Sequence, residues 1–113
     1  MDRIRRLPLF ADLPVGIGVH EARGFRARLL GLAFLDPGDG ALLIRRCRSV
    51  HTFGMRFALD LVWLAKDGSV LAIEGSIGPR RHAMARSARS VVEVREGWGP
   101  RFVQAGLEAA LRR

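Results

Sequence analysis

Residues Cys47 to Leu64 read CRSVHTFGMRFALDLVWL. The second half of this stretch, Phe57 to Leu64, is apolar except for Asp60. Alternation puts Leu59, Leu61 and Trp63 on one face and Ala58, Val62 and Leu64 on the other. Apolar residues on both faces predict a central, fully buried strand rather than an edge. A carboxylate inside such a strand needs a partner, so Asp60 is expected to be buried against an arginine or backbone donors. The first half gathers Cys47, Ser49, His51, Thr52 and Met55 beside Arg48 and Arg56.

Working outward, Lys66-Asp67-Gly68-Ser69 is hairpin-turn chemistry, with Asp-Gly as its specific signal, and Val70 to Ile73 is the return strand. This hairpin is expected to dominate the core. Ala41 to Arg45 reads as a short apolar strand after the turn Asp36-Pro37-Gly38-Asp39-Gly40. Arg23 to Phe34 carries Phe25, Leu29, Leu30, Leu32 and Ala33 near a 3.6 spacing and predicts a helix. Gly31 interrupts it, or marks a place where another backbone approaches closely. Val15 to Glu21 alternates like a strand, and Met1 to Pro14 reads as an N-terminal arm.

Downstream, Gly75 to Ser87 reads as a basic loop or irregular extended piece. Val91, Val92 and Val94 form a strand with Glu93 and Arg95 expected outside. Gly97-Trp98-Gly99-Pro100 is a turn. Arg101 to Arg113 closes the chain as a helix whose face carries Phe102, Val103, Leu107, Ala110 and Leu111. Regular crossover helices do not separate the strands, so a βαβ architecture is disfavoured. The expected fold is mostly β: a small, mainly antiparallel barrel or sandwich, with one helix before the central motif and one at the C-terminus. The division expected is an arm over residues 1–14 and a single β-rich domain over 15–113.

At 113 residues the chain suits one domain, and a hydrophobic content of 49% argues against intrinsic disorder. The formal net charge is +8, with Lys66 the single lysine among arginines. That charge permits binding to nucleic acid or to an anionic surface. A single cysteine, Cys47, excludes an internal disulfide. The basic start lacks the apolar core of a signal peptide, and no apolar run approaches a membrane span. The expected setting is soluble and cytoplasmic, with no membrane partner.

Ser49-Val50-His51-Thr52-Phe53-Gly54-Met55-Arg56-Phe57-Ala58-Leu59-Asp60 resembles the signature of domain-of-unknown-function family 192, S-V-H-T-F-x-M-R-F-P-L-D. Arg28-Leu29-Leu30-Gly31-Leu32 is similar to that family's R-x-x-G-L segment. Pro79 with the basic residues after it, and Ser90-Val91-Val92-Glu93-Val94, also match. Ala58 stands where the family usually has proline, and the family's C-terminal G-D after a turn is absent. The resemblance implies a small β-rich domain and no known activity.

The candidate ligand-binding residues are Arg48, Ser49, His51, Thr52, Met55, Arg56, Asp60 and Arg81. Asp60 is either a general base or ligand anchor, or a structural carboxylate satisfying backbone N–H groups. If Cys47 to His51 is extended, Cys47, Ser49 and His51 share a face. A Cys–His pair is a potential nucleophile and base; the plainer alternative is a buried thiol beside a hydrogen-bonded histidine. Metal binding through His51 with Cys47, His20, His82 or Asp60 lacks any paired-ligand spacing, so no metal and no cofactor is implied. Met55 and Phe57 read most simply as core. Arginines around Arg48–Arg56 and Pro79–Arg89 are expected to converge near His51 as an anion pocket. The first functional expectation is therefore a module binding a small anionic ligand or peptide carboxylate. A basic nucleic-acid-binding module using Phe53 or Trp98, and a minimal hydrolase using His51 and Asp60, are the alternatives.

Overall fold

The computed structural model describes residues 9–13, 17–24, 28, 31–32 and 41–107. Eight strands and one short helix follow in order: β1 Leu9–Leu13, β2 Ile17–Glu21, β3 Ala41–Arg45, β4 Ser49–His51, β5 Leu59–Leu64, β6 Val70–Ile77, β7 His82–Met84, β8 Ser90–Arg95 and α1 Gly99–Gln104. Six strands form one sheet in the order β1-β2-β3-β8-β5-β6, and β4 pairs with β7 in a separate two-stranded sheet. All neighbours are antiparallel except β2 and β3, which run parallel. The fold is mostly β, as expected. The large sheet ends at β1 and β6 among the described residues, and β4–β7 forms a second layer over one face.

The β5–β6 hairpin forms where the Asp-Gly turn places it. Asp67 Oδ1 accepts from the Ser69 amide and hydroxyl, and Gly68 takes φ +89° at the tip, a conformation glycine adopts without strain. As a core element, however, the hairpin is lopsided. β5 is buried along its whole length between β8 and β6, whereas most of β6 is exposed, including Leu71 and Ile73. The β5–β8 pairing, from Leu59↔Arg95 to Leu64↔Ser90, is the pairing at the centre of the core.

Both faces of the β3-β8-β5 unit are covered, which is why these strands are apolar throughout. On one face Leu42, Ile44, Leu59, Leu61, Trp63 and Val91 pack with Val50, Met55 and Ala83 of the β4–β7 region and with Leu32. On the other, Leu43, Val62, Leu64, Val92 and Val94 pack with Phe102 and Leu107.

Several expectations change. Leu9–Leu13, read as part of an arm, pairs with β2 as a strand. Residues 75–87, read as a basic loop or an irregular extended piece, hold the end of β6 and all of β7, because β4 offers β7 a partner: Ser49↔Met84, Val50↔Ala83, His51↔His82. Glu93, expected outside, is 4% exposed, because β8 is a central strand whose alternate positions all face a covered layer. The helix expected over Arg23–Phe34 lies for the most part outside the described residues, as does the end of the helix expected over Arg101–Arg113. The C-terminal helix begins earlier, at Gly99, with Pro100 in its first turn, where a missing N–H costs nothing. Among the described residues no helix is long and apolar enough to cross a membrane.

Leu61 is fully buried at the centre of β5. Leu61→Ala is expected to lower unfolding free energy by about 2–5 kcal/mol in a denaturant titration. A loss of less than about 0.5 kcal/mol, the scale of a surface substitution, would contradict this packing.

Candidate functional site

Asp60 alternates with Val62 and Leu64 and so points to the α1 face of the sheet. It is 3% exposed, and three backbone donors satisfy it. Oδ1 accepts from Ser76 N at 3.1 Å, and Oδ2 accepts from Gly97 N at 3.0 Å and Gly99 N at 2.9 Å. The donors come from a β6 irregularity and from the β8–α1 turn. Between Leu59↔Ile77 and Leu61↔Glu74 the register slips, and Ser76 there takes φ +57°. Such a conformation costs of order 1–3 kcal/mol in a non-glycine residue. It turns the Ser76 N–H toward the carboxylate. A Cβ on Gly99 would sit 3.0 Å from Asp60 Oδ2 and from Ile73 Cγ2, so glycine is what lets the turn close over the carboxylate.

Thr52 is also structural. It is fully buried; its hydroxyl donates to Gly78 O at 2.7 Å and accepts from Arg81 N at 2.7 Å. Its amide donates to Arg81 O, and its carbonyl accepts from Arg80 N. Thr52 thereby pins the 78–81 loop to the end of β4. Met55 is buried in the core beneath β4–β7. Arg56 and Arg81 are exposed; Arg81 contributes its backbone to the Thr52 clamp.

Ser49 and His51 lie on the opposite side of the sheet from Asp60. They line a cavity of about 170 Å³ with Arg28, Ile44, Cys47, Val50 and Glu93. Glu93 Oε1 accepts from Leu32 N at 3.1 Å. A Cβ on Gly31 would sit 2.6 Å from Glu93 Oε1, so what approaches Gly31 is a side-chain carboxylate and not the backbone expected there. Arg28 lies across the same region, its guanidinium donating to Arg45 O at 2.7 Å and Arg46 O at 3.4 Å. The Cys47 thiol donates to Ser49 O at 3.1 Å. Burial pushes this thiol above the ordinary range; the Ser49 hydrogen bond lowers it, Glu93 raises it further and Arg28 lowers it. Burial prevails, and the protonated thiol is a poor nucleophile. The geometry does not join His51 to Asp60.

Next to this cavity, Arg46, Arg48 and Arg89 line an open concavity of about 530 Å³. The Cys47 amide donates to Arg89 O at 3.0 Å, which draws the two arginine segments together. Arg46 sits at φ +54°, held by Arg28 on its carbonyl. Among the described residues none of these three guanidinium groups has a hydrogen-bond or ion-pair partner; the ion pairs seen are Glu21 with Arg23 and Arg45. The arginine pocket was expected near His51; the concavity seen lies beside Cys47 instead and is lined by Arg46, Arg48 and Arg89. Arg56 and Arg81 line neither cavity. Trp98, half-buried, is engaged by Arg95 and Arg101 over its ring. Phe53 is 57% exposed and lies 5.8 Å from the His51 ring.

A mixed β-sheet with a two-stranded layer on one face and a short helix on the other, bearing a basic concavity beside the β4 motif, defines a small β-rich domain with a polar surface. The chain belongs to family DUF192, "Uncharacterized ACR, COG1430", whose model matches residues 12–108. Comparison with curated proteins returns no match. Among solved structures, a protein of unknown function from Novosphingobium aromaticivorans is similar, with a TM-score of 0.65 and 18% identity over 82% of this chain and 85% of that one. A protein from Sinorhizobium meliloti described as a "putative transcription regulator" gives a TM-score of 0.66 and 22% identity over 77% of this chain and 74% of that one. At these identities the likeness shows the fold.

Two outcomes follow from this geometry. Asp60→Asn leaves one buried amide without an acceptor, at a cost of about 1–3 kcal/mol, and Asp60→Ala should cost more in the same denaturant titration. Near-wild-type stability of both variants would contradict the structural role. Iodoacetamide should alkylate Cys47 more slowly than glutathione at neutral pH, accelerating only above the ordinary thiol range; faster alkylation would contradict a protonated, buried thiol.

Proposed function

We propose that this chain is a small-anion binding module that takes a phosphate or a carboxylate, including a peptide carboxylate, between Arg46, Arg48 and Arg89. The observation that carries this reading is that three arginines line one concavity with no carboxylate among its described lining residues. Like charges so arranged repel, and an oxyanion relieves the repulsion while matching the planar fork of each arginine. The left-handed backbone of Arg46, clamped by Arg28, fits a position where strain serves a site. A cytoplasmic setting suits a chain with one thiol.

A second reading, binding of single-stranded nucleic acid, has its own support. Exposed Phe53 beside His51, with Met84 also exposed on the β4–β7 layer, offers a stacking surface on a basic protein. One fold neighbour carries a transcription-regulator description. The hydrolase reading lacks comparable support, since Asp60 is committed to backbone donors on the far side of the sheet.

Calorimetry with inorganic phosphate and citrate tests the first reading. Saturable binding is expected, weakened roughly tenfold or more by Arg89→Ala or Arg48→Ala, as loss of a charge-assisted contact of about 1.5–3 kcal/mol implies. No small-anion binding, together with single-strand binding that weakens steeply with salt at a log–log slope near −0.7 per phosphate contact, would replace it with the second reading.

A further inference from the structure

His51 and His82 face each other directly across the β4–β7 ladder. On both strands the central residue, Val50 or Ala83, is buried and its neighbours are exposed. His51 and His82 therefore share the outer face. The ladder's hydrogen bonds give the kind of pair. Thr52 N donates to Arg81 O and Ala85 N donates to Arg48 O, marking 52/81 and 48/85 as hydrogen-bonded positions. Alternation makes 51/82 a non-hydrogen-bonded pair, the type whose Cα atoms approach to about 4.5 Å and whose side chains lie closest. Beneath the pair, Thr52 clamps the loop that leads into His82, so the rung sits on anchored backbone.

Neither imidazole has a hydrogen-bond or ion-pair partner among the described residues, and the contact of the His51 ring is with Phe53. Their nitrogens are thus available as ligands. An ion bound at about 2.0–2.1 Å from each of two imidazole nitrogens needs those nitrogens roughly 3 Å apart, which two side chains on such a rung can reach by rotation. We propose that His51 and His82 form a two-histidine chelate for a divalent transition-metal ion on the outer face of the β4–β7 layer. Imidazole suits copper, nickel and zinc, and affinity at a given nitrogen site follows the order nickel below copper and copper above zinc. No cluster of three or more metal-ligating side chains occurs among the described residues. Water or an exogenous ligand therefore completes the coordination, and this is an open, exchangeable site rather than a structural one.

The test uses the full, untagged chain with nickel chloride and zinc chloride as probes. Calorimetry is expected to show one ion per chain, and the thermal midpoint should rise with metal concentration because the folded ladder alone pairs the histidines. His51→Ala and His82→Ala should each weaken binding by about tenfold or more, since one lost imidazole ends the chelate. Cys47→Ser and His20→Ala should bind as the parent does. Both histidines of the pair are exposed, so melting without metal verifies that the variants fold. The proposal is overturned by the absence of saturable binding below about 1 mM ion, the weak end of ordinary affinity. It is equally overturned by half an ion per chain, or by either variant of the pair keeping affinity closer to the parent than that tenfold loss.

Discussion

The carboxylate of Asp60, closed on all sides by backbone N–H groups, is the constraint on which one whole face of the molecule depends. It takes its donors from Ser76, in the neighbouring strand β6, and from Gly97 and Gly99 just beyond the end of β8. The β6 irregularity, the left-handed Ser76 and the glycines of the β8–α1 turn are all arranged to meet it. α1 has six residues, too few to be stable alone in water. It is held by this anchor at its start and by Phe102 and Leu107 packing onto Val62, Leu64, Val92 and Val94.

A second buried carboxylate plays the corresponding part on the other face. Glu93 lies on β8, the neighbour of β5, and points into the opposite layer. Leu32 N donates to it, and Gly31 makes the approach possible. Arg28, from the same segment, spends its guanidinium on the carbonyls of Arg45 and Arg46. So Arg28, Gly31 and Leu32 on one side and Glu93 with the carbonyls of Arg45 and Arg46 on the other, far apart in sequence, are two halves of one docking arrangement. This arrangement sets the turn after β3 and, through it, the direction in which Arg46 and Arg48 leave the sheet. Structural carboxylates thus occupy both faces, and at the rim beside Cys47 lie Arg46, Arg48 and Arg89, unpaired among the described residues.

Much of this was legible in the residues. The two-faced apolar pattern of Phe57–Leu64, the Asp-Gly turn and a lone carboxylate in an apolar strand depend on local chemistry, and each has its counterpart in β5, the hairpin tip and the Asp60 donors. Glu93 was misread because Ser90–Arg95 alternates as an edge strand would; its central place follows from pairing with both β3 and β5, which a single stretch does not encode. β7 reads no more definitely than a basic loop or irregular extended piece, because His82–Met84 is too short to show a period, and its partner β4 is equally short. The same gap hid the His51–His82 rung. Where the arginines lie depends on the Cys47–Arg89 backbone bond, which joins segments that no local pattern relates.

The central proposal is that the anion binds at the arginine rim beside Cys47, away from the backbone cage that anchors Asp60. Amide and arginine side-chain resonances followed by NMR during a phosphate titration test it directly. The account predicts progressive shifts at Arg46, Cys47, Arg48 and Arg89, with the Ser76, Gly97 and Gly99 amides around Asp60 unmoved. Shifts centred on those three amides, with the arginine signals unchanged, would contradict it.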